Sequence, residues 1–136
     1  MKSIQEQLIL HEGLRLKPYR CPAGKLTIGV GRNIEDKGIT KEEALFLLEN
    51  DIRGVTTALE RHDWFTKLDA IRKKVVVDMA FNLGVGGFLQ FKKLIAALER
   101  GDYQAATAEM IDSRWHRQVG QRALRLERMM RTGEDY

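Results

Sequence analysis

Apolar residues recur at helical intervals through most of the chain, and that period disappears between Leu16 and Val30. Ahead of the gap, Ile4 and Leu8, with His11, share one face of residues 3–11, and Ser3 stands where an N-cap belongs. This predicts a short amphipathic helix ending near Gly13. Within the gap, Pro18 and Pro22 restrict helix and Ala23-Gly24 signals a turn, while Leu26-Thr27-Ile28-Gly29-Val30 reads as a strand. A small antiparallel hairpin or three-stranded sheet is the simplest arrangement. Thr40-Lys41-Glu42-Glu43 is a capping-box pattern, and Leu45, Leu48, Ile52, Val55 and Leu59 follow at steps of three and four. A second helix runs from about Asp69 to Leu83 with Gly84 as its stop, although Val75-Val76-Val77 alone would suit a strand equally. Shorter helices are predicted at 88–99, stopped by Gly101, and at 102–112, with Asp102 as N-cap. A last helix, about 117–131, turns Val119, Ala123, Leu126 and Met130 inward and a set of arginines outward. The expected class is α+β: a small N-terminal antiparallel sheet lobe and a larger helical C-terminal lobe.

Length and composition narrow this picture. With 136 residues, 43% hydrophobic and 31% charged, the chain suits one domain and argues against disorder. No apolar run approaches the ~18 residues of a membrane span. Gln5, Glu6 and Gln7 stand where a signal peptide needs its apolar stretch, so no secretory leader is expected. The single cysteine, Cys21, predicts folding in a reducing compartment. A net charge of +4 favours an anionic partner. His11, His62 and His116 lack metal-ligand spacing, and no metal or cofactor is expected. Gly84-Val85-Gly86-Gly87 neither follows a strand nor carries a Lys-Ser/Thr pair, which argues against a phosphate loop.

The candidate chemistry lies between Glu12 and Arg32. Glu12 falls at the end of the first helix, beside a glycine and the edge of the sheet, where a partly shielded carboxyl group would suit a general acid. Cys21 follows in a turn and Thr27 on the next strand, and a hairpin returns both towards Glu12. On residue types alone, a solvated helix-end glutamate, a small buried thiol and a β-forming threonine are the favoured readings of the three.

The wording of the segment goes further. Glu12-Gly13, Tyr19, Cys21, Gly24 and Thr27-Ile28-Gly29-Val30-Gly31 resemble the motif of the phage-type lysozymes, the muramidase endolysins of glycoside hydrolase family 24. The likeness continues through Thr40-Lys41-Glu42-Glu43-Ala44 and Phe81-Asn82-Leu83-Gly84-Val85-Gly86-Gly87-Phe88. It ends with Ser113-Arg114-Trp115, Arg122 and Arg131-Thr132-Gly133. The resemblance implies one lysozyme-like domain over 1–136, with a sheet lobe at about 12–39, an inter-lobe helix at about 40–60 and a helical lobe at about 61–136.

It also implies roles. Glu12 protonates the glycosidic oxygen; the Cys21 position and Thr27 hold or activate the water attacking the opposite face, an inverting hydrolysis. Arg122 pairs with Glu12, and Phe81 and Asn82 line the saccharide cleft. The implied substrate is the β-1,4 bond between N-acetylmuramic acid and N-acetylglucosamine in bacterial peptidoglycan. The enzyme would be a monomer accumulating in the host bacterial cytoplasm and reaching the wall through a separate holin-like, membrane-permeabilising protein. Two positions depart from the family. Cys21 replaces the commoner aspartate, and Arg32 stands where many relatives carry histidine, with an expected cost in stability. The short loop from Asn33 to Ile39 suggests a trimmed lower lobe. Trp64 and Trp115 are expected to be packing residues. The rival readings are a non-catalytic peptidoglycan-binding module of the same fold and a basic nucleic-acid binder; the second has no recognition motif, so no nucleic acid is expected.

Overall fold

The computed structural model describes residues 1–136 and divides into two compact units, Met1–Leu47 and Leu48–Tyr136. The N-terminal unit opens with α1 (Ile4–Glu12), capped as its sequence suggests. The Ser3 hydroxyl accepts from the Glu6 N–H and the Glu6 carboxylate accepts from the Ser3 N–H, both at 3.1 Å. Ile4 and Leu8 share a face as predicted, but neither is buried.

β1 (Arg15–Arg20), β2 (Leu26–Gly29) and β3 (Arg32–Asn33) form an antiparallel sheet in that order. Tyr19 faces Thr27, and Thr27 faces Asn33. Pro18 sits inside β1 because β1 is an edge strand whose register is irregular between Arg15 and Tyr19. A short helix, α2 (Ile34–Lys37), occupies a stretch that reads as loop. The Asn33 side chain caps it by accepting from the Asp36 N–H at 3.1 Å.

α3 (Lys41–Leu59) runs from the first unit into the second. The predicted capping box is present: the Thr40 hydroxyl accepts from the Glu43 N–H at 3.1 Å, and Glu43 accepts from the Thr40 N–H at 2.8 Å. Of the five apolar residues at helical spacing, Leu59 is buried, Val55 half-buried, and Leu45, Leu48 and Ile52 exposed.

The C-terminal unit is helical throughout: α4 (Asp63–Thr66), α5 (Ala70–Leu83), α6 (Val85–Phe88), α7 (Lys92–Glu99), α8 (Tyr103–Ile111), α9 (Arg114–Val119) and α10 (Gln121–Thr132). The valine run resolves as helix because Val75, Val76, Met79 and Ala80 of α5 are all fully buried at helical spacing. They meet Leu94 of α7, Met110 of α8 and Ala123, Leu126, Met129 and Met130 of α10 in one core. Two predicted helices are each divided. The 88–99 segment breaks in a turn where the Lys92 N–H reaches the Gln90 carbonyl at 2.8 Å. The 117–131 segment breaks at Gly120, whose φ of +56° and ψ of −123° lie outside helical space and end α9 before α10 begins.

Arg72 fastens α5 to the end of α10. Its Nε donates to the Met130 carbonyl at 2.7 Å and an Nη to the Arg131 carbonyl at 3.2 Å, so one guanidinium serves the unpaired carbonyls of a helix terminus. The same group pairs with Asp69 at 2.9 Å and lies 3.6 Å from the centre of the Tyr103 ring. Its side chain is only 12% exposed. Arg72→Ala is therefore expected to destabilise the C-terminal unit by about 2–4 kcal/mol, by removing charged hydrogen bonds and the stacked ring together. A lowered denaturation midpoint with an unchanged slope in urea is the expected signature.

Candidate active site

Glu12 is the last residue of α1, and Gly13 turns the chain there with φ of +80°. The side chain is exposed, not partly shielded as its place at the helix end predicted, and it has no hydrogen-bonding or ionic partner in the fold. It lies against Gly31: a Cβ at that glycine would stand 3.2 Å from Glu12 Oε2, and φ there is +68°. Both the close approach and the left-handed backbone call for glycine. The Glu-Gly and Gly-x-Gly parts of the sequence motif thus meet in one place.

The Cys21–Lys25 turn is closed by hydrogen bonds from the Cys21 N–H to the Lys25 carbonyl at 3.0 Å and from the Gly24 N–H to the Cys21 carbonyl at 2.7 Å. Backbone hydrogen bonds from Lys25 and then Ala23 pull the Cys21 thiol below its ordinary pKa by favouring thiolate. Thr27 is 3% exposed, and its hydroxyl donates to the Lys25 carbonyl at 2.8 Å. Cys21 and Thr27 therefore lie together at the hairpin end, both bonded to Lys25. Glu12 stands near the other end, three residues before Arg15, which faces Gly29; Arg20 faces Leu26. The strand between Leu26 and Gly29 spans roughly 10 Å.

Arg32 has the partner its sequence context left open. Two guanidinium nitrogens meet the two Glu43 oxygens at 2.9 and 2.6 Å, and one also donates to the Gly38 carbonyl at 3.2 Å. The residue after Gly31 is thus tied to the first turn of α3. Arg32, the largest influence, together with the Thr40 N–H holds the Glu43 carboxyl down to about 2. A carboxyl group depressed in the folded state stabilises fully above its unfolded pKa of about 4.3, and this contribution is lost as pH falls towards 2. Arg32→Ala is expected to remove that acid-dependent component. Folded stability measured between pH 5 and pH 2 would then fall less steeply than in the parent protein.

The remaining candidates belong to the C-terminal unit. Phe81, 43% exposed, and Arg122 line one cavity of about 500 Å³ with Leu48, Ile52 and Val77. Arg122 is engaged by Asp78 of α5: Nε donates to Oδ1 at 2.7 Å, and an Nη to Oδ1 at 2.6 Å and to the Asp78 carbonyl at 3.1 Å. Asp78 carries no motif signal and lies 44 positions away, so sequence reasoning missed it. Asn82 accepts through Oδ1 from the Trp115 indole N–H at 3.1 Å, which leaves its amide NH₂ unspent. Trp115 is buried as expected, and so is Trp64.

Comparison with known proteins follows the same residues. The phage lysozyme family model matches residues 10–131. The chain is 30% identical over 161 aligned residues to the pre-baseplate central spike protein Gp5 of Enterobacteria phage T4, covering 96% of this chain and 28% of that protein. It is 28% identical over 163 residues to a probable T4-type lysozyme 1 of Dictyostelium discoideum, covering 98% and 96% of the two chains. It is 38% identical over 105 residues to the endolysin of Acyrthosiphon pisum secondary endosymbiont phage 1, covering 74% and 70%. The chain spans little more than a quarter of the spike protein's length but nearly all of the Dictyostelium lysozyme's. The matched region takes in the Glu12–Gly31 approach, the Cys21–Thr27 turn and Arg122, and on that ground the chain belongs to the phage lysozyme family.

Proposed function

We propose that this lysozyme hydrolyses the β-1,4 bond between N-acetylmuramic acid and N-acetylglucosamine in bacterial peptidoglycan, with inversion and with Glu12 as general acid. The observation that carries the reading is the unpartnered Glu12 carboxyl group seated on Gly31 at one end of β2, with Cys21 and Thr27 together at the other. Glu12 gives its proton to the glycosidic oxygen as the C1–O bond breaks. A water from the Cys21–Thr27 side bonds to C1 from the opposite face, and its proton passes to the thiolate and then to solvent. Inversion requires room for that water between the two groups. The Thr27 hydroxyl proton is committed to Lys25, so its oxygen lone pairs are left to accept from the water.

Arg122 and Phe81 act in this reading as saccharide-binding groups, with the unspent Asn82 NH₂ as a donor to an acetamido carbonyl. A separate membrane-permeabilising protein gives access to the wall from the host cytoplasm; none of the helices is long and apolar enough to cross a membrane. The test is digestion of purified peptidoglycan followed by reduction of the new ends. N-acetylmuramitol, released first as the α-anomeric sugar before reduction, is the expected product. Reduced N-acetylglucosamine ends would assign the opposite bond, and binding without any new reducing ends would indicate a wall-binding module.

A further inference from the structure

The two buried tryptophans differ in one respect. The Trp115 indole N–H donates to Asn82, whereas the Trp64 indole N–H has no partner in the protein. No buried side-chain nitrogen or oxygen in the fold lacks a partner, so the Trp64 N–H edge is open to solvent although the residue is only 9% exposed. His62 and Phe88 both stack on the Trp64 ring, with centroids 5.4 and 5.9 Å away. The N–H is uncommitted within the protein and reaches solvent, so it is free to donate to a bound acceptor.

Trp64 lines a cleft of about 690 Å³ on the C-terminal unit, which shares no residue with the Phe81–Arg122 cavity. Arg61, Lys67 and Arg100 reach the same cleft, as do Asp63 and Glu99. All five are exposed and none pairs with another; Arg100 makes one long ion pair outside the set, to Asp102 at 3.7 Å. A simple anion would be attracted by three cations but repelled by two carboxylates. A molecule carrying both an acid group and hydroxyl donors satisfies the whole set: cations and indole N–H to its acceptors, carboxylates to its hydroxyls.

We propose that this cleft is a second binding site, for an acidic saccharide. Its carboxylate is held by Arg61 and Lys67, a ring or acetamido oxygen accepts from the Trp64 N–H, and Asp63 and Glu99 accept from hydroxyls. The site is separate from the bond-cutting residues and its occupancy does not depend on Glu12.

The test is titration of the ¹⁵N-labelled full chain with N-acetylmuramic acid, which carries a carboxylate, and with N-acetylglucosamine, which does not. The two indole N–H signals are followed by NMR. The expected result is a saturable shift of the Trp64 signal with N-acetylmuramic acid in the millimolar range, while the Trp115 signal, already bonded to Asn82, stays in place. Arg61→Glu and Lys67→Glu should each weaken binding about tenfold with both indole signals retained, which shows that the fold persists. A Trp64 signal that does not move, or that moves equally with both sugars and in both charge-reversed proteins, overturns the proposal. Neither sugar contains a bond to cut, so the outcome is independent of the hydrolytic reading.

Discussion

Glu12→Gln is expected to lower the release of reducing ends from peptidoglycan by roughly 10²–10⁴-fold, since loss of a general acid typically costs that much. The amide keeps the size and shape of the side chain, so it still fits against Gly31, but it has no proton to give. The fold should be unchanged, because Glu12 makes no hydrogen bond or ion pair whose loss would be felt. Its thermal midpoint, measured alongside activity, should match that of the parent protein. Near-normal turnover would show that the acid lies elsewhere. Gly31→Ala supplies a structural counterpart. It forces a Cβ to 3.2 Å from the carboxylate and a side chain into a left-handed backbone, so activity and stability should fall together.

Blocking Cys21 carries the second large effect. The residue is half-buried and its thiolate is favoured by the Lys25 and Ala23 backbone, so alkylation should reach half its maximal rate at a lower pH than for an ordinary thiol. A bulky adduct fills the space assigned to the attacking water, and hydrolysis should cease in proportion to modification. Cys21→Asp should stay active, because a carboxylate supplies an acceptor at the same point of the turn. Cys21→Ala divides the work between the two groups. Substantial residual activity would assign the water to Thr27, and near-complete loss would assign it to the sulfur. Full activity after complete alkylation would remove Cys21 from the site and leave its lowered pKa as a property of the turn alone.

The helix starts were legible because each is a local event. Ser3 with Glu6, Thr40 with Glu43, Asp69 with Arg72 and Asp102 with Ala105 all join a side chain to a backbone N–H three residues on. Chain geometry alone brings such groups together, so spacing and residue type suffice. The motif residues were equally legible, and so was the glycine needed where Glu12 crosses the backbone. Two helix boundaries were not. Gly120 can continue a helix or end one, and only the packing of Trp115 on one side and Ala123 on the other decides that it turns.

What the sequence determined by itself is the order of the main strands and helices and the caps that open four of those helices. Tertiary structure decided which charged groups meet. Arg32 finds Glu43 eleven positions away, Arg122 finds Asp78 forty-four away, and Arg72 finds the Met130 carbonyl fifty-eight away. An arginine reads the same whether it faces solvent, a substrate or a helix end. The choice among these is made by tertiary packing, as where the buried faces of α5 and α10 lock together and bring Arg72 and Arg122 to their acceptors.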